Sequence, residues 1–286
     1  MIKRVSINFR PNDEEIKKLL VSVIDFLKSK SIEVLLPEGN YSGEDVIGKC
    51  AAASEDFIGT PDLVVVIGGD GTFLRTARMF VDAGRPIFGI NRGRLGFLTE
   101  FNPEECFRYL GETISGNYNS ADRNVMEVAR VRNRRTIERM YFINDSVISK
   151  GAFSRAIGIE LEIDGSHFTT YNGDGLIIST STGSTAYSLS AGGPIIVPSA
   201  ADIYLITPIC PHTLANRPIV IQSDSVLKAR IVSDAKNLLL TIDGQEAIQI
   251  DGDDEIIFSQ TDKKIKLITH PEKNFYEILR EKLGWG

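Results

Sequence analysis

Apolar residues recur in two rhythms along the chain, and the rhythm changes near residue 120. In the first part, short continuous apolar runs alternate with stretches of helical period. Residues 5–9 and 32–36 read as strands. Between them Ile16, Leu19, Leu20, Val23 and Leu27 share one face of a helix over 14–30, with Asn12 or Asp13 as its N-cap. A weakly patterned stretch containing Gly39, Gly43 and Gly48 follows. The run Leu63-Val64-Val65-Val66-Ile67 then predicts a buried strand, succeeded by a helix to about Val81 and a strand over 86–90. Uniformly apolar strands separated by helices are the pattern of a parallel sheet covered on both faces.

From residue 125 onward the pattern is one of successive strands with polar punctuation. Strands are predicted over 125–131, 140–148, 157–163, 175–179, 226–231 and 238–242, with turn signals at Asp164-Gly165, Asp243-Gly244 and Asp251-Gly252. A short helix is predicted over 274–283. The expected organisation is an α/β domain over 1–120, a β-rich domain over 121–270, and a C-terminal helix over 271–286 that packs back on the first domain.

Several stretches add chemistry to this frame. The apolar strand 63–67 runs into Gly68-Gly69-Asp70-Gly71-Thr72. Glycine N–H groups at a helix N-terminus suit phosphate oxygens. Asp70 in such a turn is a helix N-cap, a Mg²⁺ ligand, or a carboxylate that orients a sugar hydroxyl or takes its proton. The turn fits neither Gly-x-x-x-x-Gly-Lys-Ser/Thr nor Gly-x-Gly-x-x-Gly. Asn91-Arg92-Gly93-Arg94-Leu95-Gly96-Phe97-Leu98-Thr99 follows the strand 86–90, at a strand end where open α/β sheets bind ligands. Its arginines are either phosphate ligands or solvent-facing.

In the second part, Asn144-Asp145 interrupts an apolar segment, and burying two polar side chains there demands partners. Asparagine both donates to and accepts from an adenine edge, and aspartate accepts from two ribose hydroxyls; a bulge or hairpin turn is the competing reading. Asn172-Gly173-Asp174-Gly175 leads into a run over 179–190 in which eight of twelve residues are Ser or Thr, so neutral donors and acceptors are dense there. Tyr187 in that run can stack on a base. Asp243-Gly244-Gln245-Glu246 reads first as a hairpin turn.

Composition narrows the field. At 286 residues the chain is long enough for two modest domains, and its 42% hydrophobic and 24% charged content is ordinary for a globular protein. The net charge of −6 argues against a nucleic-acid or acidic-membrane surface. Three cysteines and three histidines show no disulfide or metal-ligand spacing. No signal-peptide pattern and no apolar stretch long enough to cross a bilayer is present, so the cytoplasm is the expected compartment.

Taken in order, Gly68–Thr72, the stretch 91–100, Asn144-Asp145, the stretch 174–194, the segment 208–214 followed by Arg217-Pro218, and Asp243-Gly244-Gln245 resemble the NAD kinases. The long hydroxyl-rich stretch is the specific part, since lipid kinases and phosphofructokinases carry similar glycine turns. The resemblance implies a fold of the NAD kinase/diacylglycerol kinase type and transfer of phosphate from ATP to the 2′-hydroxyl of the adenosine ribose of NAD. It places Asp70 as the catalytic base, Gly71 at phosphate and Arg75 as a basic contact. Asn144 and Asp145 match the adenosine-binding pair, and Asp174, Thr182, Thr185, Ala186, Tyr187, Ser188, Leu189 and Ser190 the nucleotide-contacting stretch. Gln245 matches a further contact; Arg155 and Asn172 follow by spacing alone. Many relatives have Asn-Glu at 144–145, and some place Arg at 172, a position tied to the choice between NAD⁺ and NADH. Mg²⁺ is implied as the companion of ATP, and a homo-oligomer, tetramer or dimer, as the assembly. A lipid kinase of the diacylglycerol type and a non-catalytic NAD(H) sensor are the alternatives.

Overall fold

A computed structural model describes all residues except 1, 12, 39–46, 94, 152–155, 199–201, 214, 235 and 286. The chain forms two compact units: Met1–Asp122 with Lys264–Gly286, and Arg123–Lys263.

The first unit is built on β1 (Arg4–Phe9), α1 (Glu14–Ser29), β2 (Glu33–Pro37), β3 (Ala51–Ala52), α2 (Ser54–Gly59), β4 (Leu63–Ile67), α3 (Asp70–Met79), β5 (Ile87–Ile90) and α4 (Cys106–Ile114). Its strands pair in parallel in the order β3-β2-β1-β4-β5, with Val5 opposite Leu63 and Val64 opposite Ile87. Every residue of β4 is buried, as its unbroken apolar run requires. Asp13 caps α1 through its carboxylate, which accepts from the N–H groups of Glu15 and Ile16, whereas the alternative cap Asn12 lies outside the described residues. The buried stripe of α1 is Ile16, Leu20, Val23, Ile24 and Leu27. Truncating one such residue, Leu27→Ala, costs about 2–5 kcal/mol.

The second unit contains most of β6 (Asn119–Arg132), then β7 (Arg135–Phe142), β8 (Asp145–Ser149), β9 (Ile157–Ile163), β10 (Ser166–Gly173), β11 (Gly175–Thr180), a 3-10 turn over Thr182–Thr185, α5 (Tyr187–Ser190), β12 (Ile203–Ile209), β13 (Ile219–Gln222), β14 (Leu227–Ile231), β15 (Leu238–Ile242), β16 (Glu246–Ile250) and most of β17 (Glu255–Thr269). An antiparallel sheet runs β13-β12-β11-β8-β15-β16. A second antiparallel set, β10-β9-β14-β17, is joined by β6 and β7. Alternate residues of both meet in one core, among them Ile148, Leu176, Ile178, Tyr204 and Leu240 from the first and Ile159, Leu161, Leu227 and Phe258 from the second. The turns at Asp164-Gly165 and Asp243-Gly244 form as predicted, each with two consecutive positive φ values.

The last helix, α6 (Phe275–Leu283), belongs to the first unit and carries a reciprocal capping box between Asn274 and Glu277. One predicted strand is corrected. The segment 140–148 is not continuous: β7 ends at Phe142 and β8 begins at Asp145. Three successive N–H groups, those of Ile143, Asn144 and Asp145, leave the ladder to donate to the Asp243 carboxylate. The helices α2, α4 and α5 and the strands β3, β10, β12, β13, β16 and β17 have no counterpart in the predicted elements. In β10 the exposed positions include Phe168 and the buried ones are Tyr171 and Gly173, so no apolar alternation marks it in the sequence.

Candidate functional site

In the first unit the glycine turn lies at the carboxyl end of β4. Gly69, not Asp70, occupies the N-cap position of α3, so Asp70 is the first helical residue and its side chain makes no cap. The carboxylate instead reaches the motif that follows β5. Oδ2 accepts from the N–H of Phe97 (2.9 Å), and Oδ1 from the N–H of Leu98 (3.1 Å), the N–H of Thr99 (3.2 Å) and the Thr99 hydroxyl (3.2 Å). The two glycine-rich motifs thus form one structure around a single carboxylate, whose charge is also favourable at a helix N-terminus. A Cβ at Gly96 would collide with Asp70 Oδ1 and Thr99 Oγ1, so this contact requires glycine. Gly71 and Arg75 are exposed on the first turns of α3. Arg92 is an ion-pair partner of Asp13 at 2.9 Å, and Arg94 lies outside the described residues.

In the second unit a cavity of about 320 Å³ is lined by Asn144, Asp145, Val147, Ser149, Ala186, Tyr187, Thr241, Asp243 and Gly244. Its floor is one face of the first sheet. Asp145, Val147 and Ser149 alternate along β8, and Thr241 stands opposite Val147 on β15. The intervening Ile148 points to the core. Asp145 is 4% exposed and Asp243 8%. Burial pushes the Asp145 carboxyl up to about 7, and the neighbouring Asp243 charge adds to this; the N–H of Tyr187 opposes it. Asn144 contributes a buried Oδ1 that has no hydrogen-bond partner among the described residues. Tyr187 is 47% exposed and presents its ring beside these groups.

The hydroxyl-rich run divides its labour. Ser179 and Thr180 donate to the carbonyls of Asn144 and Ile143, and Ser184 to that of Ser181. Ser188 is buried with its hydroxyl on that of Thr207 at 2.7 Å. These hydrogen bonds brace the turn. Thr182 is buried, Thr185 and Leu189 are half-buried, and Ser190 is exposed. Asp174 sits where β10 passes into β11 and pairs with Lys150 at 2.7 Å. Asn172 is exposed on β10 and Gln245 in the β15–β16 hairpin, while Arg155 lies outside the described residues.

Sequence reasoning missed Asp243. It stood in a hairpin signal that explains itself, and its role shows only in its partners. Its positive φ of 47° and the 64° of Gly244 turn the hairpin so that the carboxylate faces residues 143–145.

A glycine turn closed on a carboxylate and a polar cavity flanked by an aromatic ring define a nucleotide-handling protein of the α/β-plus-β class. The comparisons specify which. The ATP-NAD kinase N-terminal domain model matches residues 5–118 and the C-terminal domain model residues 143–270. NAD kinases of Geotalea daltonii and Natranaerobius thermophilus are 38% and 37% identical to this chain, covering 100% and 98% of it and 99% and 98% of their own lengths. The crystal structure of yeast NADH kinase complexed with NADH superposes with a TM-score of 0.89 at 27% identity, covering all of this chain and 88% of that one. An NAD kinase from Archaeoglobus fulgidus in complex with ATP shares the fold, with a TM-score of 0.76 at 24% identity over 97% of this chain and 99% of that one. The chain belongs to the ATP-NAD kinase family.

Proposed function

We propose that this chain is an NAD kinase that transfers the γ-phosphoryl group of ATP to the 2′-hydroxyl of the adenosine ribose of NAD⁺. One observation carries the acceptor: Asn144, Asp145, Ala186 and Tyr187, from two distant segments, line one cavity. The Asn144 Oδ1 accepts from an exocyclic amine, the Asp145 carboxylate from ribose hydroxyls, and Tyr187 stacks on a base. Asp174, Asn172, Arg155, Thr182, Thr185, Ser188, Leu189, Ser190 and Gln245 extend the nucleotide contacts, several of them by bracing the turn that holds Tyr187.

The transfer is a displacement. An O–P bond forms between the ribose oxygen and the γ-phosphorus, and the bond from that phosphorus to the bridging oxygen breaks, leaving ADP. The hydroxyl proton passes to Asp70 and then to solvent. Gly71 and Arg75 serve the phosphates. Mg²⁺ bound with ATP would neutralise charge on the phosphates and be held largely by ATP and water. Among the described residues no group of three or more His, Cys, Asp or Glu is placed together. The enzyme is assigned to the cytoplasm as a homo-oligomer, dimer or tetramer; no described helix is long and apolar enough to cross a membrane.

The test is direct. Purified protein with Mg-ATP and NAD⁺ should form NADP⁺, read by an NADP-specific dehydrogenase. Tight NAD⁺ binding without NADP⁺ would instead mark a sensor.

A further inference from the structure

We propose that Gly96 and Thr99 are positioning residues for Asp70, holding its carboxylate with Oδ1 as the anchored oxygen and Oδ2 as the one that meets the acceptor hydroxyl. The proposal rests on the kinase reading above. A carboxylate offers about four lone-pair sites, two on each oxygen. Oδ1 already takes three donors, the N–H groups of Leu98 and Thr99 and the Thr99 hydroxyl. Oδ2 takes one, the N–H of Phe97. Among the described residues, acceptor capacity therefore remains on Oδ2 alone, and the asymmetric set of donors fixes the rotation of the carboxylate plane.

The anchor is itself held. The Thr99 carbonyl accepts from Asn91 Nδ2 and from the N–H of Gly96, both at 3.2 Å. The Asn91 side chain also accepts from the N–H of Gly93 at 2.7 Å. Glu100 Oε2 accepts from the N–H of His270 at 2.7 Å. Asn91, Thr99 and Glu100 are all buried. A loop of surface arginines would need none of this. A platform that keeps one carboxylate oxygen in line with a hydroxyl does, because a misplacement of about 1 Å costs roughly a hundredfold in rate.

Three variants test the assignment, each assayed for kcat and for both KM values, with nucleotide binding by calorimetry and folding by urea denaturation. In Gly96→Ala the new methyl pushes the Asp70 carboxylate aside, so kcat should fall by roughly a hundredfold with KM changed less than about twofold. Thr99→Val, of nearly the same shape, removes one donor and should lower kcat by roughly tenfold, again with KM kept. Thr99→Ser restores the hydroxyl and should recover most of the parental kcat. Folded Gly96→Ala and Thr99→Val proteins with parental kcat would overturn the positioning role, as would losses confined to KM or a Thr99→Ser protein no better than Thr99→Val. Absence of NADP⁺ from the parent protein is a separate result, which would overturn the kinase reading and this proposal with it.

Discussion

Each unit of this protein sets one aspartate against three consecutive backbone N–H groups, and the two units use the device to opposite ends. In the first, Asp70 accepts from residues 97, 98 and 99; in the second, Asp243 accepts from 143, 144 and 145. In the proposed mechanism Asp70 is itself the reactive group, and the loop around it is the support. Asp243 is the support: it shapes the backbone that carries Asn144 and Asp145, and it places a negative charge beside the second carboxylate. The same hydrogen-bond pattern therefore marks a chemical carboxylate in one place and a scaffold in the other. What separates them is the neighbour. Asp243 has Asp145 beside it at the cavity, and burial first, with the Asp243 charge second, raises the Asp145 pKa.

Four substitutions would sharpen or break this contrast. The largest effect is expected from Asp70→Asn. Asparagine keeps an acceptor oxygen for the loop but takes no proton, so kcat should fall by about a thousandfold while both nucleotides still bind. Steady-state kinetics alongside calorimetry decides it; near-parental kcat would remove Asp70 from the chemistry. Next comes Asp243→Ala. Leaving buried N–H groups of 143–145 unpaired should lower stability by about 3 kcal/mol in urea denaturation and weaken NAD⁺ binding together with it. Unchanged stability with lost turnover would make Asp243 a chemical residue and collapse the distinction.

Asp145→Asn should act in the opposite direction on stability. The folded carboxyl has its pKa raised to about 7, above its ordinary value of 3.8. Between these values the folded protein binds more protons than the unfolded chain, so stability falls as pH rises through that window and levels off above it. Asparagine removes this penalty. The ligand-free variant should gain on the order of 2 kcal/mol at pH 8 and almost nothing at pH 3.5, as thermal melts at the two pH values would show. NAD⁺ affinity should weaken in the variant, and in the parent it should tighten from pH 6 to 8 as Asp145 ionises. The smallest effect is expected from Tyr187→Ala. Its ring is half exposed, so stability should hold, while loss of stacking weakens NAD⁺ binding by about tenfold in a fluorescence titration. A drop in stability instead would make the ring part of the core.

Stability and function pull apart in the second unit. A neutral side chain at 145 packs more comfortably beside Asp243, yet in the proposed site the ionised one is the better acceptor for ribose hydroxyls. Such a site is stable enough because the cost falls on one residue and the core beneath it, through Ile148, Leu176, Ile178 and Leu240, is fully buried.

The sequence alone determined whatever depends on neighbours within about ten positions. The apolar run of β4, the amphipathic stripe of α1 with a cap at 12 or 13, the Asp-Gly turns at 164–165 and 243–244 and the place of α6 were legible, because periodicity and capping are local interactions. The order of strands and helices in the first part and the shift to β structure in the second followed from the same patterns. Tertiary structure decided the rest. The segment 140–148 reads as one strand until a carboxylate 100 residues away takes the amide of Ile143. The Ser188 hydroxyl finds a partner in Thr207, which the run 179–190 does not show. Asp70 reads from the turn alone as a helix cap, a Mg²⁺ ligand or a carboxylate acting on a sugar hydroxyl, and its contacts with residues 97–99 appear only in the fold. In each case the deciding partner is distant in the chain, and a polar group's role is set by which donor or acceptor the fold brings to it.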